Sequence, residues 1–151
     1  MFKSIVVGTD GSATAGKAVR HAAELARRQG ARLHVATAYE PLAGLRSAAT
    51  SGAISGVVVV GTEDWSGRAV AEVDKILDEV SKSLGESIDF EMHRLEGDPA
   101  DAIVGLAEDQ GADLIVLGNK GMTGARRFLL GSVPNRVSHQ APCSVLIVHT
   151  T

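Results

Sequence analysis

The sequence predicts an α/β domain: a doubly wound sandwich with a five-stranded parallel sheet and about four helices. Short apolar runs of strand length alternate with longer stretches whose apolar residues recur at helical spacing. The order is β-α repeated about four times and closed by a last strand. The runs are almost unbroken in apolar character, as strands buried on both faces by helices are. Hydrophobic residues make up 44% of the chain and aromatics only 3%, a balance that suits helix-covered strands better than an aromatic-rich sandwich. With 151 residues, 1–151 reads as one domain.

Ile5-Val6-Val7 reads as the first strand. Thr14 to Gln29 carries Ala18, Val19, Ala22, Leu25 and Ala26 at helical spacing, and Gly30 ends that helix as a left-handed residue. Arg32 to Ala38 is the second strand. A stripe from Trp65 through Val73, Leu77 and Leu84 is the next helix, stopped by Gly85. Ile88 to Leu95 supplies the third strand, and Asp98-Pro99 starts a helix that Gly111 closes. There the Asp side chain caps free amides, and Pro at the first position loses no hydrogen bond. Asp113 to Leu117 is the fourth strand, Ser132 caps a helix to about His139, and Ser144 to Val148 is the fifth strand. Residues 41–63 are too long for an ordinary connection and read as a mobile loop, with an extra edge strand or a partner-binding segment as alternatives.

Fifteen basic against eighteen acidic residues, a net charge of -3, give no overall pull toward nucleic acid or an anionic membrane. Cys143 is the single cysteine, so no intrachain disulfide forms, and it reads as a small buried apolar side chain. No export signal and no run of bilayer-spanning length is visible, so a soluble, cytoplasmic protein is expected. His21, His34, His93, His139 and His149 are scattered without metal-ligand spacing and read as surface or packing residues.

Parallel sheets of this kind bind ligands beyond the carboxyl ends of their strands, where strand order reverses. Two segments fall at such ends. Gly8-Thr9-Asp10-Gly11-Ser12 follows strand one, and Gly118-Asn119-Lys120-Gly121 follows strand four. Nine residues after the latter comes Gly131-Ser132-Val133-Pro134. Glycine amides at a strand end and a fresh helix start together make a phosphate cradle. The plain alternative is that these glycines only make a tight turn and open a helix.

Gly11 to Lys17 fits Gly-x4-Gly-Lys, but Ala18 stands where a P-loop needs a hydroxyl for Mg²⁺. Gly8 to Gly11 also departs from the dinucleotide fingerprint, with Asp10 where pyrophosphate needs amides. Asp10 suits either a ligand hydroxyl or Mg²⁺, or capping of the first helix. No Ser, Cys or Lys stands in a recognisable nucleophile motif, so no catalytic residue is assigned.

The pattern Gly-x2-Gly-x9-Gly-Ser resembles the nucleotide-binding signature of universal stress proteins. The opening from Ile5 to Ser12, the Asp113 to Gly118 strand, Leu129 to Val133, and Cys143 to Val148 extend the resemblance over nearly the whole chain. It implies a Rossmann-like, adenine nucleotide alpha hydrolase-like domain that binds ATP or another adenine nucleotide, cyclic AMP included, with Mg²⁺ as a companion ion. Carried onto this chain, Gly118, Asn119, Lys120 and Gly121, with Gly131, Ser132, Val133 and Pro134, hold phosphates and ribose. Gly8, Thr9 and Asp10 line the adenosine end, and the close of strand two, from Val35 to Ala38, lies against adenine. Lys120, Arg126 and Arg127 stand either as phosphate contacts or as solvated charges. The resemblance further implies a homodimer through the last strand, while charge and hydropathy point to neither nucleic acid nor membrane as partner. It points to a stress sensor or regulator, with a slow ATPase or phosphotransfer enzyme, or a ligand-free interaction protein, as alternatives.

Overall fold

The computed structural model describes residues 1–40, 62–120 and 131–150. Strand β1 (Ser4–Gly8) is enclosed from Ile5 onward, and the pleat divides its side chains, Ile5 and Val7 joining one core and Val6 the other. Helix α1 (Ala13–Gln29) starts at Ser12, whose hydroxyl accepts the Ala15 N–H at 3.1 Å, and ends at Gly30 in the left-handed region at φ 65°. Its buried stripe of Ala15, Ala18, Val19, Ala22, Ala23 and Ala26 is mostly alanine, which lets the helix lie close against the sheet.

Strand β2 (Arg32–Tyr39), helix α2 (Thr62–Leu84), strand β3 (Phe90–Glu96), helix α3 (Pro99–Asp109), strand β4 (Leu114–Gly118), helix α4 (Ser132–Gln140) and strand β5 (Ser144–Val148) complete the order. All four strand pairings are parallel, in the order β3-β2-β1-β4-β5. Helices α1 and α2 pack on the face carrying Ile5, Val7, Leu33, Val35, Leu114 and Val116. The opposite face, with Val6, Ala36, Ile115 and Leu117, packs against Ile103 and Leu106 of α3 and Val137 of α4. The chain thus winds outward from β1 to β3, then returns to β4 and winds the other way. The reversal lies between β1 and β4, which places the ends of strands one and four side by side.

The expected α/β class, parallel five-stranded sheet and four helices are what the described residues form. Most element ends shift by a residue or so, and two of the differences carry a lesson. Ser132 is the first residue of α4, and the cap position belongs to Gly131, which supplies no side-chain hydrogen bond. Strand β3 begins at Phe90, two residues later than its apolar pattern suggests. Of the expected loop 41–63, residues 41–61 lie outside the described residues, and the next residues already belong to α2.

Candidate functional site

The β1–α1 loop is held by its own side chains. The Thr9 N–H donates to the Ala36 carbonyl of β2 at 2.9 Å, continuing the sheet one residue past β1, and the Thr9 hydroxyl accepts from the Gly11 N–H at 3.2 Å. Asp10 is exposed, and its Oδ1 accepts the Ser12 N–H at 2.9 Å. Ser12 then caps α1, so Asp10 shapes the loop one step upstream of the cap. Gly11 sits at φ 79°, and a Cβ there would lie 2.8 Å from Ile76 Cγ1 of α2, so conformation and close approach both call for glycine.

Across the switch point, Asn119 joins three segments. Its N–H donates to the Val148 carbonyl at 2.9 Å and its carbonyl accepts the Gly131 N–H at 2.9 Å. Its side-chain Oδ1 accepts both the N–H of Thr150, at 2.9 Å, and that residue's hydroxyl, at 2.8 Å. Asn119 and Thr150 are both buried. Lys17 Nζ donates to the Thr150 carbonyl at 2.7 Å, so the lysine of the P-loop-like stretch holds the end of the chain. This clamp ties the start of α4 to the end of β4.

Helix α4 opens with its amides uncovered. Gly131 spends its N–H on Asn119, Pro134 has none, and the first amide bonded back along the helix is that of Asn135, to the Gly131 carbonyl at 3.1 Å. No described residue accepts from the Ser132 or Val133 N–H. Two donors at the positive end of a helix dipole are therefore left beside the switch point, an arrangement that suits an anion. A Cβ on Gly131 would lie 3.4 Å from the Asn119 carbonyl oxygen, an ordinary contact, and its φ of -58° is open to any residue.

Other expected site residues take different positions. Gly8 lies where a Cβ would come within 2.8 Å of both Ile103 Cδ1 and Leu117 Cδ2, a packing reason for glycine on β1. Gly118 faces Thr150, whose Cγ2 would be 3.3 Å from a Cβ. Lys120 and Pro134 are buried, Val133 is half-buried and Ser132 is exposed. Val35 is fully enclosed in the α1/α2 core, whereas Ala38, nearer the carboxyl end of β2, is half-buried. Gly121, Arg126 and Arg127 lie outside the described residues. Thr150 and Lys17 are the structural supports that motif reading did not find, because neither belongs to a glycine pattern. Cys143 is half-buried and its thiol is pushed up by burial, in keeping with a packing role.

The universal stress protein family model matches residues 1–149. The chain belongs to the universal stress protein family. A universal stress protein of Mycobacterium tuberculosis is 37% identical over 152 residues, spanning 99% of this chain and 98% of the relative. One from Methanocaldococcus jannaschii is 37% identical over 150 residues, spanning 98% of this chain and 82% of the relative. Among solved structures, a universal stress protein crystallised in complex with cAMP is 37% identical, with a TM-score of 0.71 over 99% of both chains. Another neighbour, a protein whose biochemical function was assigned from its structure, superimposes with a TM-score of 0.80 at 24% identity over 100% of this chain and 98% of its own, a likeness of fold.

Proposed function

We propose that this universal stress protein binds an adenine nucleotide in the crevice between the ends of β1 and β4 and acts in the cytoplasm as a ligand-dependent sensor or regulator. The observation that carries the reading is the uncapped start of α4, held beside β4 by Asn119. Its free Ser132 and Val133 amides meet a phosphate, and the Thr9-Asp10 loop and Ala38 meet the nucleoside. The 37% identical relative crystallised with cAMP supports an adenine ligand. With a triphosphate, the Asp10 oxygen left over from its bond to Ser12 is a hard ligand of the kind Mg²⁺ takes.

Isothermal titration with ATP, AMP and cAMP tests the site. Saturable binding of at least one nucleotide is expected, and flat traces for all three overturn the reading. Heat extraction and mass spectrometry of the protein as isolated identify the preferred ligand. Phosphate release compared with a Gly131→Trp variant separates slow hydrolysis from contamination.

The reading includes a homodimer through β5. The outer edge of β5 has no strand partner among the described residues, and Leu146 is 38% exposed on it. Sedimentation at tens of micromolar is expected to show a dimer that Leu146→Lys dissociates. A monomer under those conditions removes that part of the proposal.

A further inference from the structure

Strands β2 and β3 bring together two histidines that lie far apart in the chain. His34 Nδ1 is 2.9 Å from His93 Nε2, with ring centroids 5.1 Å apart. Glu91 pairs with His34 in the strand register, and its Oε2 is 4.0 Å from His34 Nδ1. One ligand atom from each of the three residues falls within 4.8 Å of the others. Phe90 and Met92 pack toward α1 and α2, so the alternation of β3 puts Glu91 and His93 on the opposite face with His34. His34 is 2% exposed, His93 is half-buried and the Glu91 side chain is 46% exposed, so the cluster opens to solvent on its carboxylate side.

Two imidazole nitrogens and a carboxylate oxygen form a donor set for divalent first-row transition metals. Tetrahedral ligands about 2.1 Å from a metal stand about 3.4 Å apart. The observed nitrogen pair needs to open by only about half an ångström to reach that spacing, a small side-chain rotation. One of the two facing nitrogens donates to the other, so both become metal ligands when that proton moves to the far nitrogen of its ring, a change of tautomer that neutral imidazole allows. Arg32 competes for the carboxylate, its Nη2 lying 3.2 Å from Glu91 Oε2, while its Nε has Asp89 as a second partner at 3.8 Å.

We propose that His34, Glu91 and His93 form a divalent transition-metal site of the Zn²⁺ or Co²⁺ class, with three protein ligands and the remaining coordination open to water or a small ligand. The site is separate from the nucleotide crevice, on the flank of the sheet where β3 is the edge among the described strands. A bound ion replaces the single hydrogen bond that two neutral imidazoles share and releases Arg32 to Asp89.

The test is titration of the full-length chain, free of any purification tag and treated with chelator, with Co²⁺ alone. Expected are saturable binding of one ion per chain with visible d–d bands, affinity at least about tenfold weaker in His93→Gln and in the exposed Glu91→Gln, and tighter binding in Arg32→Gln. His139→Gln, on the exposed face of α4, is expected to match the parent. In the unaltered protein, Zn²⁺ should move the imidazole nitrogen NMR signals of His34 and His93 and leave those of His21, His139 and His149 in place. Absent saturation, Glu91→Gln binding like the parent, or shifts confined to the other three histidines would each overturn the site.

Discussion

The starts of α3 and α4 treat their first amides differently. At α3, Asp98 Oδ1 accepts the N–H groups of both Ala100 and Asp101 at 3.1 Å, and Pro99 removes a third donor. Arg136 of α4 adds contacts to Asp98 at 2.8 Å and Asp101 at 2.7 Å. At α4 a glycine occupies the cap position, and the next two amides have no described acceptor. An Asp cap is worth about 1 kcal/mol over alanine, whereas glycine is only a few tenths worse than the best caps, because it leaves the amides to water. An open helix start is therefore cheap in stability, and it keeps donors available to a ligand. The sealed start serves the fold, and the open one is the start that the proposed function uses.

The largest change expected from disturbing this contrast follows Asn119→Ala. It strips both Thr150 donors of their acceptor inside the protein, a loss of about 2–4 kcal/mol read as a lower denaturant midpoint. Gly131→Asp is the sharper probe. Its carboxylate would take the α4 amides and repel phosphate, so nucleotide affinity is expected to fall more than about tenfold, or about 1.4 kcal/mol. Stability should meanwhile hold or rise by a few tenths of a kcal/mol. Unchanged affinity in calorimetry would break the assignment of α4 as the phosphate end.

Asp98→Ala should cost about 1 kcal/mol in chemical denaturation and leave nucleotide affinity alone, since it unseals only α3. Ser12→Ala is expected at the lower end of the same range, its cap resting on one bond to Ala15. The smallest effect is on acid stability. The Asp101 N–H, with Arg136 and the Ala100 N–H, holds the Asp98 carboxyl below its ordinary value of 3.8. The unfolded chain therefore takes up that proton first as pH falls. The stabilisation is complete above that ordinary value and is lost as pH drops through the lower folded one. Solvent screening at this half-buried group keeps the effect small, and Asp98→Asn should flatten that part of a stability-against-pH curve.

Much of this was legible in the chain. The unbroken apolar runs of β1 and β4 announced strands covered on both faces, and Asp98-Pro99 and Gly30 marked helix ends, because caps and left-handed residues act within a few positions. The glycine segments are legible as a candidate site through their spacing. Ser132 has the residue type of a cap, whereas Gly131 occupies that position, its N–H bonded to the Asn119 carbonyl. The family resemblance puts Val35 beside adenine, but the pleat turns it into the α1/α2 core.

By itself the sequence determined the fold class, the helix and strand sequence and the family, since periodicity, capping and glycine spacing are local properties that a linear reading retains. Only the tertiary structure decided that Asn119 clamps Thr150 and Gly131, that Lys17 holds the chain end, and that His34 meets His93. Those partners are separated by 12 or more residues in the chain. They become neighbours because crossover connections return distant segments to one parallel sheet. Which donors stay open is settled by who those neighbours are, and no local pattern records it.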